Sequence, residues 1–147
     1  LGNPSYQAFA AVSLGNVNGE SSAPLVLIVD DYEDSRYIYV HALTAAGYRV
    51  EEAEDGQQGL DKAFHETPDV VVMDLSLPVL DGWEAIRRLR KDERTRHVPI
   101  VALTGHADVE GDDNPGFDAL LVKPCSPDAL TEQVKTLLAG TKGREGA

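Results

Sequence analysis

Four short apolar runs in this chain each stop at a residue able to do chemistry, and this pattern constrains the fold more than any other feature. Leu25–Val29 is followed by Asp30 and Asp31, Val70–Met73 by Asp74, Ile100–Leu103 by Thr104, and Leu120–Val122 by Lys123. A fifth, less apolar run covers Tyr48–Ala53. Continuous aliphatic runs of this length suit strands of a parallel sheet covered on both faces. The intervening segments carry helix signals. Glu33–Ala46 stops at Gly47, a C-terminal stop residue. Gln57–His65 stops before Thr67-Pro68, where proline disfavours further helix. Trp83–Lys91 follows Asp81-Gly82. Ser126-Pro127 opens a last helix, whose Leu130, Val134, Leu137 and Leu138 fall at helical spacing. Strands alternating with helices predict an α/β, doubly wound parallel sheet, because right-handed crossovers place helices on both faces.

The 147 residues suit one domain. Residues 1–23 are rich in Gly, Asn, Ser and Ala without a period and are expected to form a flexible arm. The domain is expected over 24–139, with 140–147 a disordered tail. The first residue is Leu rather than Met. No apolar run is long enough to cross a bilayer, and Ala8–Leu14 is too short and lacks the basic segment of a signal peptide. The net charge of -12 opposes binding to nucleic acid and to anionic membranes. Six of the 13 basic residues cluster as Arg87, Arg88, Arg90, Lys91, Arg94 and Arg96. They read as a solvated helix end favoured by the helix dipole, or as a docking surface for a partner. The single cysteine, Cys125, forbids an intrachain disulfide and suits a reducing cytoplasm. His41, His65, His97 and His106 show no metal-binding spacing.

In doubly wound sheets the ligand crevice lies beyond the carboxyl ends of the strands. Asp30, Asp31, Asp74, Thr104 and Lys123 are therefore expected to meet there. Taken singly, each has an ordinary explanation: an aspartate at a strand end caps a helix or closes a turn, Thr104 caps the next segment, and Lys123 pairs with any surface acid. Their joint occurrence at the ends of the right strands points to a site. Three carboxylates packed together repel, and a hard divalent cation such as Mg²⁺ removes that conflict with oxygen ligands. Lys123 supplies a second positive charge and Thr104 a hydroxyl donor. Phosphoryl transfer needs mainly placement and charge stabilisation, which such a set offers.

The stretches Leu27–Asp31, Val72–Gly82, Val101–Gly105 and Val122–Pro124 resemble the response-regulator receiver domains of bacterial two-component signalling, and the likeness extends from Pro24 to about Leu138. The resemblance implies a flavodoxin-like five-stranded sheet of order 2-1-3-4-5. It implies that Asp74 is the phosphoacceptor. Mg²⁺ would be held by Asp31, Asp74 and the backbone carbonyl of Ser76, with Asp30 acting through a water. Thr104 and Lys123 would stabilise the phosphoryl group. Pro78 and Gly82 would shape the loop after the phosphoacceptor, and the Lys123–Pro124 peptide would be cis. Ser76 and His106 would tune the lifetime of the phosphorylated state. The implied partners are a sensor histidine kinase or a histidine phosphotransfer protein, and a downstream protein target. The implied location is cytoplasmic. The implied activity is that of a phosphoacceptor switch rather than an enzyme, apart from self-catalysed phosphotransfer and autodephosphorylation. With no output segment after Leu138, a single-domain regulator acting by protein–protein contact is expected.

The sequence departs from the family between Thr104 and Lys123. Ala107–Phe117 contains Gly111, Asn114-Pro115 and Gly116, poor helix material, so an irregular or shortened fourth helix is expected there. Leu120 stands where relatives often carry Tyr or Phe, and Cys125 where Phe is common. A pseudo-receiver, which keeps the fold without using phosphate, is the main rival, favoured by this region and opposed by the intact acidic set. An aspartyl-nucleophile phosphatase would want D-x-D after the first strand, which Asp30-Asp31-Tyr32 is not. A flavin carrier would want a Gly-rich phosphate loop where two aspartates stand.

Overall fold

The computed structural model describes residues 23–105 and 114–146, with side chains to residue 140. Residues 1–22 of the expected N-terminal arm, His106 and most of the expected fourth-helix segment lie outside these residues. The chain runs β1 (Leu25–Val29), α1 (Glu33–Ala45), β2 (Arg49–Ala53), α2 (Gly56–Glu66), β3 (Val70–Asp74), α3 (Gly82–Lys91), β4 (Ile100–Thr104), β5 (Ala119–Val122) and α4 (Pro127–Gly146). All strands are parallel, in the order β2-β1-β3-β4-β5 that the resemblance implies.

The pleat sends alternate side chains to opposite faces, and the core divides accordingly. Leu27, Val29, Val71, Met73, Ile100 and Ala102 pack with Leu60 and Ala63 of α2 and Ile86 and Leu89 of α3. Val26, Ile28, Val70, Val72, Val101 and Leu103 pack on the other side with Tyr39 and Leu43 of α1 and Leu130 and Val134 of α4. β1, β3 and β4 are buried along their whole length, as their continuous apolar runs predict. β2 is an edge strand whose exposed Glu51 and Glu52 explain its weaker apolar signal, and charge at an edge discourages pairing with another chain.

Helix ends follow their caps. Asp55 and Asp81 accept from the backbone N–H groups of Gln58 (2.8 Å) and Glu84 (3.0 Å), so α2 and α3 each begin one residue earlier than the apolar spacing suggests. α1 ends in a Schellman turn: Gly47 N–H donates to the Thr44 carbonyl, Tyr48 N–H to that of Leu43, and Gly47 takes φ 101, a backbone glycine adopts without strain. Ser126 Oγ accepts from Ala129 N–H (3.0 Å), capping α4 as expected. α4 then continues to Gly146, through residues expected to be a disordered tail, because propagation adds one hydrogen bond per residue fixed.

Residues 114–118 contain no helix, in keeping with the irregular segment expected there, but they are not loosely held. Asn114 Oδ1 accepts from the N–H groups of Gly116 (2.6 Å) and Phe117 (2.8 Å). Arg90, from the end of α3, donates to the carbonyls of Gly116 (2.8 Å), Arg96 (3.0 Å) and Val98 (2.7 Å) and to Asp118 Oδ2 (2.9 Å). The basic cluster thus divides. Arg87 and Arg88 pair with Glu84 on the helix surface, Arg94 pairs with Asp92 and lies over the Phe64 ring, and Arg90 fastens the loop before β5.

Candidate functional site

The register of the sheet carries the expected residues to one edge. Asp74 is the last residue of β3 and pairs with Leu103, and Thr104 is the last of β4 and pairs with Val122, just before Lys123. Asp30 follows β1 and is fully buried; Asp74 and Thr104 are nearly so, while Asp31 is exposed.

Lys123 Nζ stands 3.2 Å from Asp30 Oδ2 and 3.1 Å from Asp74 Oδ2. Its backbone N–H donates to the Thr104 carbonyl (2.6 Å), which fixes where the side chain starts. Asp74 Oδ1 accepts from Ser76 N–H (3.0 Å), and Asp30 Oδ1 from Tyr32 N–H (2.9 Å). Carboxylate oxygens of Asp30, Asp31 and Asp74 all lie within 4.8 Å of one another, and among the described residues no other three His, Cys, Asp or Glu side chains form such a group.

The electrostatics follow. Burial pushes the Asp74 carboxyl above its ordinary range, and the Asp30 charge adds to this; the Ser76 N–H and Lys123 pull the other way without cancelling it. Burial also opposes charge on Lys123, but Asp74 and Asp30 together outweigh it and raise its pKa, so the ammonium stays protonated. One ammonium thus serves two buried carboxylates with a third beside them. The donor set is all oxygen and carries excess negative charge, which fits a hard divalent cation such as Mg²⁺.

Pro78 lies in the loop after Asp74, and Gly82 opens α3 at the end of that loop. Leu80 N–H donates to the Pro78 carbonyl (2.7 Å) across Val79, an exposed β-branched residue at φ 69, a strained backbone for such a side chain. Gly82 packs directly on the Asp74 backbone. The Lys123–Pro124 peptide is cis, as expected. Leu120 and Phe117 both pack, partly buried, on the α2–α3 side of the core. Cys125 packs partly buried on the other side, where the Tyr39 hydroxyl donates weakly to its carbonyl (3.4 Å).

One residue at the site was not foreseen. Arg36 of α1 donates from Nη1 to the backbone carbonyl of Asp30 (2.7 Å) and from Nε to Glu52 Oε1 (3.0 Å). Its only sequence signal is its place one turn into the helix that follows the acidic pair.

The model of the response regulator receiver domain matches residues 26–135. This chain belongs to that family. It is 36% identical over 122 residues to the DNA-binding dual master transcriptional regulator RpaA of Synechocystis sp., covering 80% of this chain and 50% of RpaA. It is 33% identical over 117 residues to the polar-differentiation response regulator DivK of Brucella ovis, covering 77% of this chain and 94% of DivK. The receiver domain of the sensor histidine kinase PA1611 from Pseudomonas aeruginosa, solved with a magnesium ion coordinated in its active-site cleft, superposes with a TM-score of 0.75 at 32% identity, over 80% of this chain and 99% of that one. The chain spans about half the length of RpaA and of a second curated relative, a probable transcriptional regulator of Guillardia theta. Receiver domains are phosphoacceptor modules of two-component signalling that work with histidine kinases or phosphotransfer proteins; they are signalling proteins rather than conventional enzymes. No helix among the described residues is long and apolar enough to cross a membrane.

Proposed function

We propose that this receiver is an active, Mg²⁺-dependent switch that takes a phosphoryl group from a phosphohistidine donor onto Asp74. The observation that carries this reading is the shared ammonium: Lys123 Nζ lies within hydrogen-bonding distance of both Asp30 and Asp74, beside a third carboxylate. Buried acids in excess of their cationic partners are costly to the fold, and a phosphorylation site is a function that uses them.

In this reading an Asp74 carboxylate oxygen attacks phosphorus, an O–P bond forms as the donor's N–P bond breaks, and the departing imidazole takes up a proton. Lys123 follows the charge from the carboxylate to a phosphoryl oxygen, and the buried Thr104 hydroxyl donates to another. Asp31, Asp74 and the Ser76 carbonyl would hold Mg²⁺, which would supply positive charge against the phosphoryl oxygens. In this reading Asp30 acts through a water, as the resemblance implies, rather than by direct ligation. In this reading Ser76, exposed beside Asp74, influences how long the acyl phosphate lasts. Output passes by contact of the receiver with another protein; the net charge of -12 supports this over direct nucleic-acid binding by these residues.

Incubation with acetyl phosphate tests the proposal against the pseudo-receiver. One phosphoryl group is expected by intact mass in Mg²⁺ and none in EDTA. A chain that stays unmodified under both conditions would be a pseudo-receiver; equal labelling in EDTA would remove the metal from the mechanism.

A further inference from the structure

We infer that Arg36 is a positioning residue of the acidic site: by holding the peptide that joins Asp30 to Asp31, it sets where the Asp31 carboxylate stands. The inference rests on the proposed Mg²⁺ site.

The argument starts from the peptide plane. The carbonyl of Asp30 and the N–H of Asp31 belong to one rigid unit, so fixing the oxygen fixes the orientation from which the Asp31 side chain departs. Asp30 itself is held from several sides. Its N–H donates to the Ala53 carbonyl on β2 (3.1 Å), Oδ1 accepts from Tyr32 N–H and Oδ2 from Lys123. Its carbonyl lies beyond the end of β1, and it accepts from Arg36 Nη1 at 2.7 Å. Asp31 lies exposed on the turn that follows, so its carboxylate has no wall of packed side chains to place it.

The guanidinium is itself held. Its Nε–H donates to Glu52 Oε1 at 3.0 Å, and the side chain is only 11% exposed. A planar fork with one edge on a carboxylate and another on a carbonyl has its direction set in a way a flexible ammonium does not. Glu52 is anchored on β2, where Lys62 Nζ also reaches its backbone carbonyl. The chain of contacts thus runs from the edge strand through Arg36 to the peptide between the two acids. Partners that orient metal ligands in this way typically change metal affinity about 10- to 100-fold when removed.

The rival explanation is that Arg36 only fastens α1 to β2. That role would lower the melting temperature and leave the Mg²⁺ affinity of the folded protein alone. Isothermal titration of the whole chain with MgCl₂ separates the two, run on wild type, Arg36→Ala, Arg36→Lys and Glu52→Gln beside thermal melts. Arg36→Ala is expected to bind Mg²⁺ about 10-fold more weakly or worse. Arg36→Lys should recover part of the loss, and Glu52→Gln should stay closer to wild type because the bond to Asp30 remains. Acetyl phosphate labelling of Arg36→Ala should slow at limiting Mg²⁺ and recover at saturating Mg²⁺. Should Arg36→Ala not fold, Arg36→Met keeps most of the aliphatic stem and takes its place. Wild-type Mg²⁺ affinity in a folded Arg36→Ala or Arg36→Met protein would overturn this inference alone. A wild-type chain that binds no Mg²⁺ would overturn the proposed site beneath it.

Discussion

Gly82 faces the backbone of Asp74 so closely that a Cβ on it would stand 2.1 Å from the Asp74 carbonyl oxygen and 2.7 Å from the Leu75 Cα. Both obstacles are backbone, one of them that of the proposed phosphoacceptor, so neither can swing aside. Gly82 N–H also donates to the Leu75 carbonyl (3.1 Å), which ties the start of α3 to the end of β3. Gly82→Ala is expected to destabilise the fold by about 2–3 kcal/mol, the upper part of the usual range for overpacking. It should also slow phosphorylation of whatever remains folded. Urea denaturation reads the first effect, and an unchanged midpoint would contradict this geometry.

Arg90→Met should loosen the turn before β5. The substitution removes donors from three carbonyls and from Asp118, which also accepts from Ile100 N–H (2.8 Å) at the start of β4. A loss of about 2–3 kcal/mol is expected from leaving partly buried acceptors without their partner. Amide exchange should quicken at 116–118 more than in β1 or β3. Exchange that rises evenly across the sheet would deny Arg90 this local role.

Much of the fold was legible because each strand of the sheet interior is a run of aliphatic residues and the helices between them carry their own stops. The chemistry at strand ends was legible for the same reason: Asp30, Asp74, Thr104 and Lys123 each interrupt an apolar pattern. The order of the strands came from resemblance, since periodicity does not encode which strand neighbours which. Asp55 and Asp81 shifted two helix starts by a residue because capping is a side-chain bond that apolar spacing does not register. Asn114-Pro115-Gly116 read as poor helix, which it is, yet composition did not show that the Asn114 side chain closes the turn. Arg36 and Arg90 were hidden because both act on backbone carbonyls outside their own helices, and a basic residue on a helix looks the same whether it is solvated or engaged.

The Asp74 carboxyl offers a pH test. Its pKa is raised in the folded protein, chiefly by burial, above its ordinary value of 3.8. A raised carboxyl pKa favours folding fully below the ordinary value, and that contribution is lost as pH rises through the folded one. At neutral pH the ionised Asp74 therefore works against stability in metal-free protein. Asp74→Asn should melt at a higher temperature than wild type at pH 7, with the gap closing as pH falls toward 4. Mg²⁺ should raise the melting temperature of wild type more than that of the variant. A gap that widens on acidification would reverse the sign and refute the assignment.

Lys123→Met keeps the stem and removes the ammonium that Asp30 and Asp74 share. The two carboxylates then face each other uncompensated. At pH 7 without metal a destabilisation of about 2 kcal/mol is expected, after allowance for the partial exposure of the site. Mg²⁺ should restore more stability to this variant than it adds to wild type, because the cation replaces the missing charge. Phosphorylation should remain slow even in saturating Mg²⁺, since no ammonium then meets the phosphoryl group. Thermal melts across a Mg²⁺ titration, run beside acetyl phosphate labelling, check both parts. Equal gains from Mg²⁺ in the two proteins would show that Lys123 and the cation do not share this task.

Mapping the acyl phosphate tests the central claim most directly. The chain is phosphorylated with acetyl phosphate in Mg²⁺, trapped by borohydride reduction, digested and sequenced by mass spectrometry. The reduced residue should be Asp74, with one phosphoryl group per chain and none on Asp74→Asn. Trapping at Asp30 or Asp31, or undiminished labelling of Asp74→Asn, would contradict the account.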